Sequence, residues 1–183
     1  MRNRIVRVLT LTAIIIGLWG CSARPYNSEK IIHASDRAAA YSFGQTLSLS
    51  GEYLMVGASD AVNDQGQVYI FKSDEEGNWK ETAGLEASDK SEKDLFGYGV
   101  SISGDQAIVG APGANLESGQ IYFFKKDGED KWRETAILIP KSPERKEYFG
   151  CSVSIYGDYA IAGANYKSER KGKAYFFKKA DAG

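Results

Sequence analysis

The sequence predicts an all-β protein built from three tandem copies of one four-stranded antiparallel unit. A segment of 53 residues recurs without insertion or deletion, as Phe43, Phe96 and Phe149 show. Glycine and aspartate interrupt each copy at short intervals, and the runs between them are rich in valine, isoleucine, tyrosine and phenylalanine. Short runs of this composition between turn residues are typical of antiparallel strands.

The first twenty residues are set apart from the repeats. An apolar run from Val8 to Trp19, without an acid, follows Arg2, Arg4 and Arg7. A run of about twelve residues is shorter than the roughly 20 that a transmembrane helix requires. A basic start followed by a short apolar run is instead typical of an export signal. We therefore predict a cleaved signal peptide over residues 1–20.

The apolar run ends in Leu18-Trp19-Gly20-Cys21, which resembles the lipobox of bacterial lipoproteins. The resemblance implies that Cys21 carries a lipid, that residues 21–29 form a lipidated tether, and that the protein is anchored to a membrane of the cell envelope. Ser22 follows the cysteine, and by the same resemblance it favours the outer membrane in a Gram-negative cell. Trp19 departs from the small or β-branched residue usual there, so an ordinary secretory signal and an uncleaved anchor are the alternatives.

Composition places the exported part among ordinary globular domains. The chain is 43% apolar and 26% charged, which is not the composition of a disordered protein. Without residues 1–20 it keeps 20 basic and 24 acidic side chains, a formal charge of −4, which gives no electrostatic basis for binding nucleic acid. With Cys21 lipidated, Cys151 is the one thiol left, so no intrachain disulfide is expected.

Each copy is predicted to hold four short strands. In the second copy these are residues 99–102, 106–110, 120–125 and 132–139. The third of them, Ile121-Tyr122-Phe123-Phe124, is apolar on both alternating faces. A sheet with one wet face would alternate apolar with polar residues, so we expect each unit to be covered on both sides by its neighbours, as the blades of a β-propeller are. A β-sandwich is the alternative, although it would not predict a gapless repeat.

A family resemblance supports this fold. The Phe-Gly that opens each copy and the stretch Val109-Gly110-Ala111-Pro112 resemble the FG-GAP repeat of integrin α-chains and of many bacterial exported proteins. The resemblance implies blades at residues 43–95, 96–148 and 149–183, the last without its own fourth strand. Because the loop face of the integrin propeller carries partner contacts, it also implies a binding, adhesion or protein-interaction role. The blade alone does not determine function.

The turn between the first two strands of each copy is the place where a metal site would be expected. Many FG-GAP blades carry a calcium site of the form DxDxDG in this turn. Here the turns read Ser50-Gly51-Glu52, Ser103-Gly104-Asp105 and Tyr156-Gly157-Asp158. One carboxylate per turn cannot replace the hydration shell of a calcium ion. We therefore predict no metal in these turns and no cofactor.

The segment before the first copy repeats part of the chain. Residues 30–36 match residues 83–89 at the same distance from the following Phe-Gly. We therefore predict a closing strand within residues 30–42 that pairs beside residues 173–178. Within one chain this needs a ring of three blades, fewer than the four or more of known propellers, whereas two chains give a ring of six. A homodimer is favoured, and a monomer and a piece of a longer protein are the alternatives.

Ligand contacts are predicted in the loop after the second strand of each copy. This loop differs most between copies, whereas the shared positions are needed for packing. The partner would be a protein or a glycan, and solvated loops without a ligand are the alternative. The candidate residues are Asp60, Asn63, Asp64, Asn115, Glu117, Asn165, Tyr166, Lys167 and Arg170.

No residue is predicted to be catalytic. The sole histidine, His33, lies in the predicted closing strand, and Cys151 has no neighbour in sequence that would activate its thiol. Paired carboxylates, as in propeller glycosidases, are the one enzymatic route left, but no spacing singles out a pair. A binding module is therefore favoured over a truncated or structural envelope protein, and both over a hydrolase.

Overall fold

The computed structural model describes residues 29–36, 41–165 and 171–180. The chain divides into two compact units, residues 1–31 and residues 32–183. Of the first unit only residues 29–31 are described. The predicted signal peptide, Cys21 and nearly all of the predicted tether therefore lie outside the described residues.

Each repeat forms one antiparallel sheet whose strands pair in chain order. Blade 1 consists of β1 (Thr46–Ser50), β2 (Tyr53–Ala58), β3 (Gln67–Ser73) and β4 (Trp79–Leu85). Blade 2 consists of β5 (Gly99–Ser103), β6 (Gln106–Ala111), β7 (Gln120–Lys126) and β8 (Trp132–Leu138). Blade 3 consists of β9 (Phe149–Tyr156), β10 (Tyr159–Ala164) and β11 (Lys173–Lys178). The predicted all-β fold of repeated antiparallel blades, forming part of a propeller, is confirmed.

Tight hairpins set the same register in every blade. In blade 1 the hairpin closes with Ser50 opposite Tyr53. Gly51 lies in that turn with φ +57, and Gly104 and Gly157 have φ +61 and +55 in the equivalent turns. Glycine adopts a positive φ without steric cost, so the chain reverses at the same point of each repeat.

Apolar interfaces hold the blades together. Met55 and Ile70 of blade 1 are fully buried in the cluster that they form with Phe96 and other residues of blade 2. A second cluster joins blade 2 to blade 3 around Ile108 and Phe149. Burying an aliphatic or aromatic side chain of this size stabilises a fold by about 1.5–3 kcal/mol. Both faces of the middle strands of blade 2 are thus covered by neighbouring blades, as their apolar pattern predicted, whereas Ile161 and Phe176 in the middle strands of blade 3 are 50% and 67% exposed.

Glycines let the backbones of adjacent blades touch. A Cβ at Gly66 would lie 2.0 Å from the carbonyl oxygen of Phe96, and one at Gly119 would lie 2.0 Å from that of Phe149. Gly66 has φ +86 and Gly119 has φ +91. Each glycine forms a parallel bridge with its phenylalanine. The Phe-Gly motif and this glycine therefore recur together because they form the junction between consecutive blades.

The segment before blade 1, where a closing strand is predicted within residues 30–42, is described up to residue 36 and again from residue 41. Residues 29–36 contain no strand in the described structure. The backbone N–H and the hydroxyl of Ser35 donate hydrogen bonds to the carboxylate of Glu81, at 2.8 and 2.9 Å. The phenol of Tyr69 donates one to Asp36 at 2.8 Å. These bonds hold Ser35 and Asp36 on blade 1, and the pairing of the closing strand beside β11, which a second chain would provide, stays a prediction.

Candidate functional site

A groove of about 800 Å³ lies at one end of blade 2. It is bounded by the loops that follow β2 and β6 and by the connections that lead into β5 and β9. Five acids and two bases line it, so the groove attracts positive charge. These charged residues are Asp64, Asp89, Glu92, Asp94 and Glu117, with Lys93 and Arg145.

Two left-handed turns contribute to the walls of the groove. Ala61–Asp64 follows β2, and Ala114–Glu117 follows β6. Three consecutive non-glycine residues have a positive φ in each turn, from +50 to +61 in the first and from +52 to +65 in the second. A left-handed backbone costs an L-residue roughly 1–2 kcal/mol. Each turn therefore needs compensating interactions.

Hydrogen bonds from the next blade provide this compensation. The first turn directs the carbonyl groups of Asp64 and Gln65 toward blade 2, where the N–H groups of Leu95 and Phe96 donate to them at 2.9 and 3.0 Å. The second turn accepts two equivalent bonds from blade 3, at 3.1 and 3.0 Å. The turns are thus part of the blade junction, and their tips are held in fixed positions.

These strained turns expose apolar side chains. Val62 is 45% exposed and Leu116 is 78% exposed. An apolar side chain at the tip of a strained turn contributes little to packing, and backbone strain of this kind is concentrated at sites of contact with ligands. Leu116 lies directly beside the acidic groove, because it is one of the residues that line it.

The structure brings three of the predicted ligand residues together. Asp64, Asn115 and Glu117 all line the groove. The sequence-based choice did not include Val62 and Leu116, because it selected polar residues in variable loops. The signal that could have found them is an apolar residue inside a loop that is otherwise polar.

The other predicted ligand residues do not line this groove. Asn63 and Asn165 are exposed. Asp60 instead accepts hydrogen bonds from the hydroxyl groups of Ser42 and Ser59, within blade 1. Three further candidates lie outside the described residues, namely Tyr166, Lys167 and Arg170.

Two carboxylates lie close together in the groove. Asp89 accepts hydrogen bonds from the phenol of Tyr122 at 2.8 Å and from the amide of Gln120 at 3.1 Å. Asp94 is buried and accepts one from the backbone N–H of Ser91 at 2.7 Å. Burial raises the pKa of Asp94, and the nearby charge of Asp89 raises it further. A positive group bound in the groove would relieve this repulsion.

In the described part of the chain, few side chains are suited to metal binding or to nucleophilic chemistry. Within residues 29–36, 41–165 and 171–180, no three or more His, Cys, Asp or Glu side chains are arranged to hold a metal ion. His33 is exposed. Burial raises the pKa of the Cys151 thiol, which disfavours the reactive thiolate. No helix in the described part of the chain is long and apolar enough to cross a membrane.

The family comparison reproduces the repeat in the same register. The profile of the FG-GAP repeat matches residues 26–71, 79–124 and 132–177, which together make up most of the chain. The second and third matches begin at Trp79 and Trp132, the first residues of β4 and β8. No curated protein matches the chain.

Proposed function

Because the chain belongs to the FG-GAP repeat family, we propose that it is a protein-interaction module held at the cell envelope by a lipid on Cys21. Members of this family generally act as binding scaffolds and not as enzymes. The surface available to a partner is accordingly the end of the blades that carries the left-handed turns.

The observation that carries this proposal is the exposed Leu116 beside an acidic groove. Protein interfaces are centred on apolar anchors surrounded by polar contacts. Leu116 supplies such an anchor, and the carboxylates around Asp89 and Asp94 supply charge for a lysine or arginine of the partner. The partner class that fits is a protein with a basic segment next to an apolar pocket.

Binding to solubilised envelope proteins of the source cell tests this proposal. We expect Leu116→Ser to reduce the amount of partner retained on the immobilised protein by about tenfold or more. The matched control is Tyr156→Ser, which changes an 82% exposed aromatic at the opposite end of a blade and should leave retention unchanged. Protease treatment of the envelope fraction should abolish retention and periodate treatment should not. The reverse result would identify a glycan and overturn the proposal.

A further inference from the structure

The outer faces of blades 1 and 3 expose apolar side chains that other blades bury. On blade 3, Ile161 and Phe176 are 50% and 67% exposed, although their repeat counterparts in blade 1, Met55 and Ile70, are fully buried against blade 2. Blade 3 therefore has the face that joins one blade to the next, with no blade packed on it in the single chain.

Blade 1 has the complementary face. Leu47 and Leu49 are 60% and 63% exposed, whereas their counterparts Val100 and Ile102 are buried against blade 1. We propose that these two faces pack on each other between two copies of the chain, so that blade 3 of each copy meets blade 1 of the other. The resulting ring of six blades falls within the four to eight that propellers use.

The glycines of the blade junction are present at both open faces. A Cβ at Gly57 would lie 2.1 Å from the carbonyl oxygen of Gly97 in the next blade. In the proposed ring the equivalent pair is Gly163 and Gly44 of the second copy. Gly44 has φ +93, close to the +89 of Gly97, but no atom lies within 4 Å of its Cβ position. Blade 1 thus already has the backbone conformation of a junction whose other half is absent.

Charge is complementary across the proposed junction. Between blades 1 and 2, the ammonium group of Lys72 donates a hydrogen bond to Asp130 in the turn after β7, at 2.8 Å. Lys178 is the counterpart of Lys72 in blade 3. The turn of blade 1 that it would meet in the second copy reads Asp74-Glu75-Glu76-Gly77, in which Gly77 holds the position of Asp130 and three acids precede it. The ring therefore places a lysine next to an acidic turn, with the acids one to three residues before the position of Asp130.

An apolar cavity of about 420 Å³ shows where a further strand fits. Its lining includes Phe123, Leu138 and Phe177, between blades 2 and 3. At the equivalent place between blades 1 and 2, Trp132 of β8 packs on the core, with its ring 6.3 Å from that of Tyr53. Tyr26 stands one repeat before Trp79, at the start of the first FG-GAP match. Residues 29–32 of the second copy thus have the sequence position of part of the outer strand that would fill this cavity.

The hydrogen bonds that Ser35 and Asp36 make to blade 1 place the residues before them where the outer strand of an adjoining blade would lie. Ser88 and Asp89 make the equivalent bonds to blade 2, and they follow closely after β4, the outer strand of the preceding blade. By the same repeat, the residues before Ser35 correspond to the outer strand of a blade that precedes blade 1. In the ring that blade is blade 3 of the second copy.

Gly172→Ala tests the ring with a smaller effect on the single chain than the same change at Gly66 or Gly119, where a Cβ would lie 2.0 Å from a backbone oxygen. Gly172 is the counterpart of Gly66 and Gly119, which lie against a phenylalanine of the next blade. Within the chain its Cβ position has one close neighbour, the carbonyl oxygen of Ala164 at 3.3 Å, and its φ is not left-handed. In the ring Gly172 would adopt the positive φ of Gly66 and Gly119, which alanine disfavours, and an added methyl group would then meet the backbone of Phe43 in the second copy. The matched control is Gly128→Ala, where no atom lies within 4 Å.

The readout is the mass of the full chain in mild detergent, measured by sedimentation over a range of concentrations. We expect the mass of two chains for the wild type and for Gly128→Ala. Because each change occurs at both junctions of the ring, Gly172→Ala should weaken the dimer by about 100-fold. A single-chain mass up to about 100 µM, a mass of three or more chains, or an unchanged Gly172→Ala dimer would overturn the proposal.

A second variant covers the case in which Gly172→Ala fails to fold. Phe176→Ser changes a side chain that is largely exposed in the single chain, so it should fold and still weaken the dimer by about 100-fold. Leu116→Ser is its control, since the exposed turn lies outside the proposed junction and its dimer should match the wild type. Loss of the dimer in both variants, or in neither, would contradict the inferred interface. Leu116→Ser is expected to weaken partner binding but not the dimer, whereas Phe176→Ser is expected to weaken the dimer. Failure of the proposed partner binding is therefore distinguishable from failure of the proposed dimer.

Discussion

The carbonyl oxygen of Phe149 lies 2.0 Å from the position that a Cβ at Gly119 would occupy. Two consecutive blades thus meet backbone to backbone, with no room for a side chain. The φ of +91 at Gly119 is a second reason why only glycine fits there.

Gly119→Ala should therefore destabilise the protein strongly. We expect a loss of about 3 kcal/mol or more in the free energy of unfolding, because the blades must separate and the backbone becomes strained. Urea unfolding measures this, and Gly128→Ala, which meets no atom within 4 Å, should change the free energy by less than about 0.5 kcal/mol. A loss below about 1 kcal/mol for Gly119→Ala would contradict the close junction.

Asp130→Asn should make stability less sensitive to acid. Asp130 accepts hydrogen bonds from Lys72, Tyr53 and Lys126 at 2.6–2.9 Å. These partners, Lys72 most of all, hold the pKa of Asp130 well below its ordinary value of 3.8. Since the folded pKa is the lower one, the stabilisation is complete above the unfolded pKa and is lost as pH falls through the folded pKa.

The measurement for Asp130 is urea unfolding of the wild type and the variant at a series of pH values. The wild type should be the more stable at neutral pH, and the difference should narrow as pH falls below about 4. A difference that widens on acidification would show that the carboxylate of Asp130 is not stabilised by its neighbours.

Glu147→Gln should cost more stability than Glu144→Gln, although both carboxylates bind the ammonium group of Lys173. The Glu144 contact is the shorter, at 3.0 Å against 3.2 Å, but Glu144 is exposed and Glu147 is fully buried. Glu147 also accepts a hydrogen bond from the phenol of Tyr175. We expect losses of about 2 kcal/mol for Glu147→Gln and under 1 kcal/mol for Glu144→Gln by thermal or urea unfolding. Equal losses would mean that burial does not govern this cluster.

The blades could be predicted from the sequence because their determinants are local and repeated. Gly51, Gly104 and Gly157 mark the hairpins, and the 53-residue period aligns every strand with its counterparts. The left-handed turn at Ala61–Asp64 could not be predicted in this way. Its three left-handed residues include no glycine, because hydrogen bonds from the next blade, distant in sequence, compensate the strain.

The segment before blade 1 shows a second limit. Residues 30–36 match residues 83–89, which comprise the end of β4 and the residues after it, so sequence similarity predicts a closing strand. Whether such a segment forms a strand depends on a neighbouring edge with which to pair, and the single chain does not bring β11 to it. For the ligand site, selecting polar residues in the variable loops identified Asp64, Asn115 and Glu117. It missed Leu116, the apolar residue at the tip of the turn.

Leu116→Asn should stabilise the fold and weaken partner binding together. Leu116 has φ +59, and asparagine tolerates this conformation better than leucine does. Asn63 occupies the equivalent position of the first turn with φ +56. We expect a gain of about 0.5–1 kcal/mol in the free energy of unfolding, since the exposed side chain loses little packing. A loss of stability would indicate that the leucine packs against the blade.

Cys21→Ser should release the protein from the membrane fraction if lipid is the anchor. The predicted lipid attachment would be removed, and the apolar run of about twelve residues is too short to span a bilayer as a helix. Fractionation of cells, together with incorporation of a labelled fatty acid, measures both effects. A Cys21→Ser variant that still sediments with membranes would point to an uncleaved apolar anchor instead.

The identical junctions between blades have a consequence for the gene. Removal of residues 66–118 would join Gln65 to Gly119, and Gln65 is already followed by a glycine in the intact chain. The new Gly119 would meet Phe149 through the contact that it makes now. Recombination between two copies can therefore delete or add one whole blade without creating a peptide junction foreign to the fold, so blade number can change in single genetic steps.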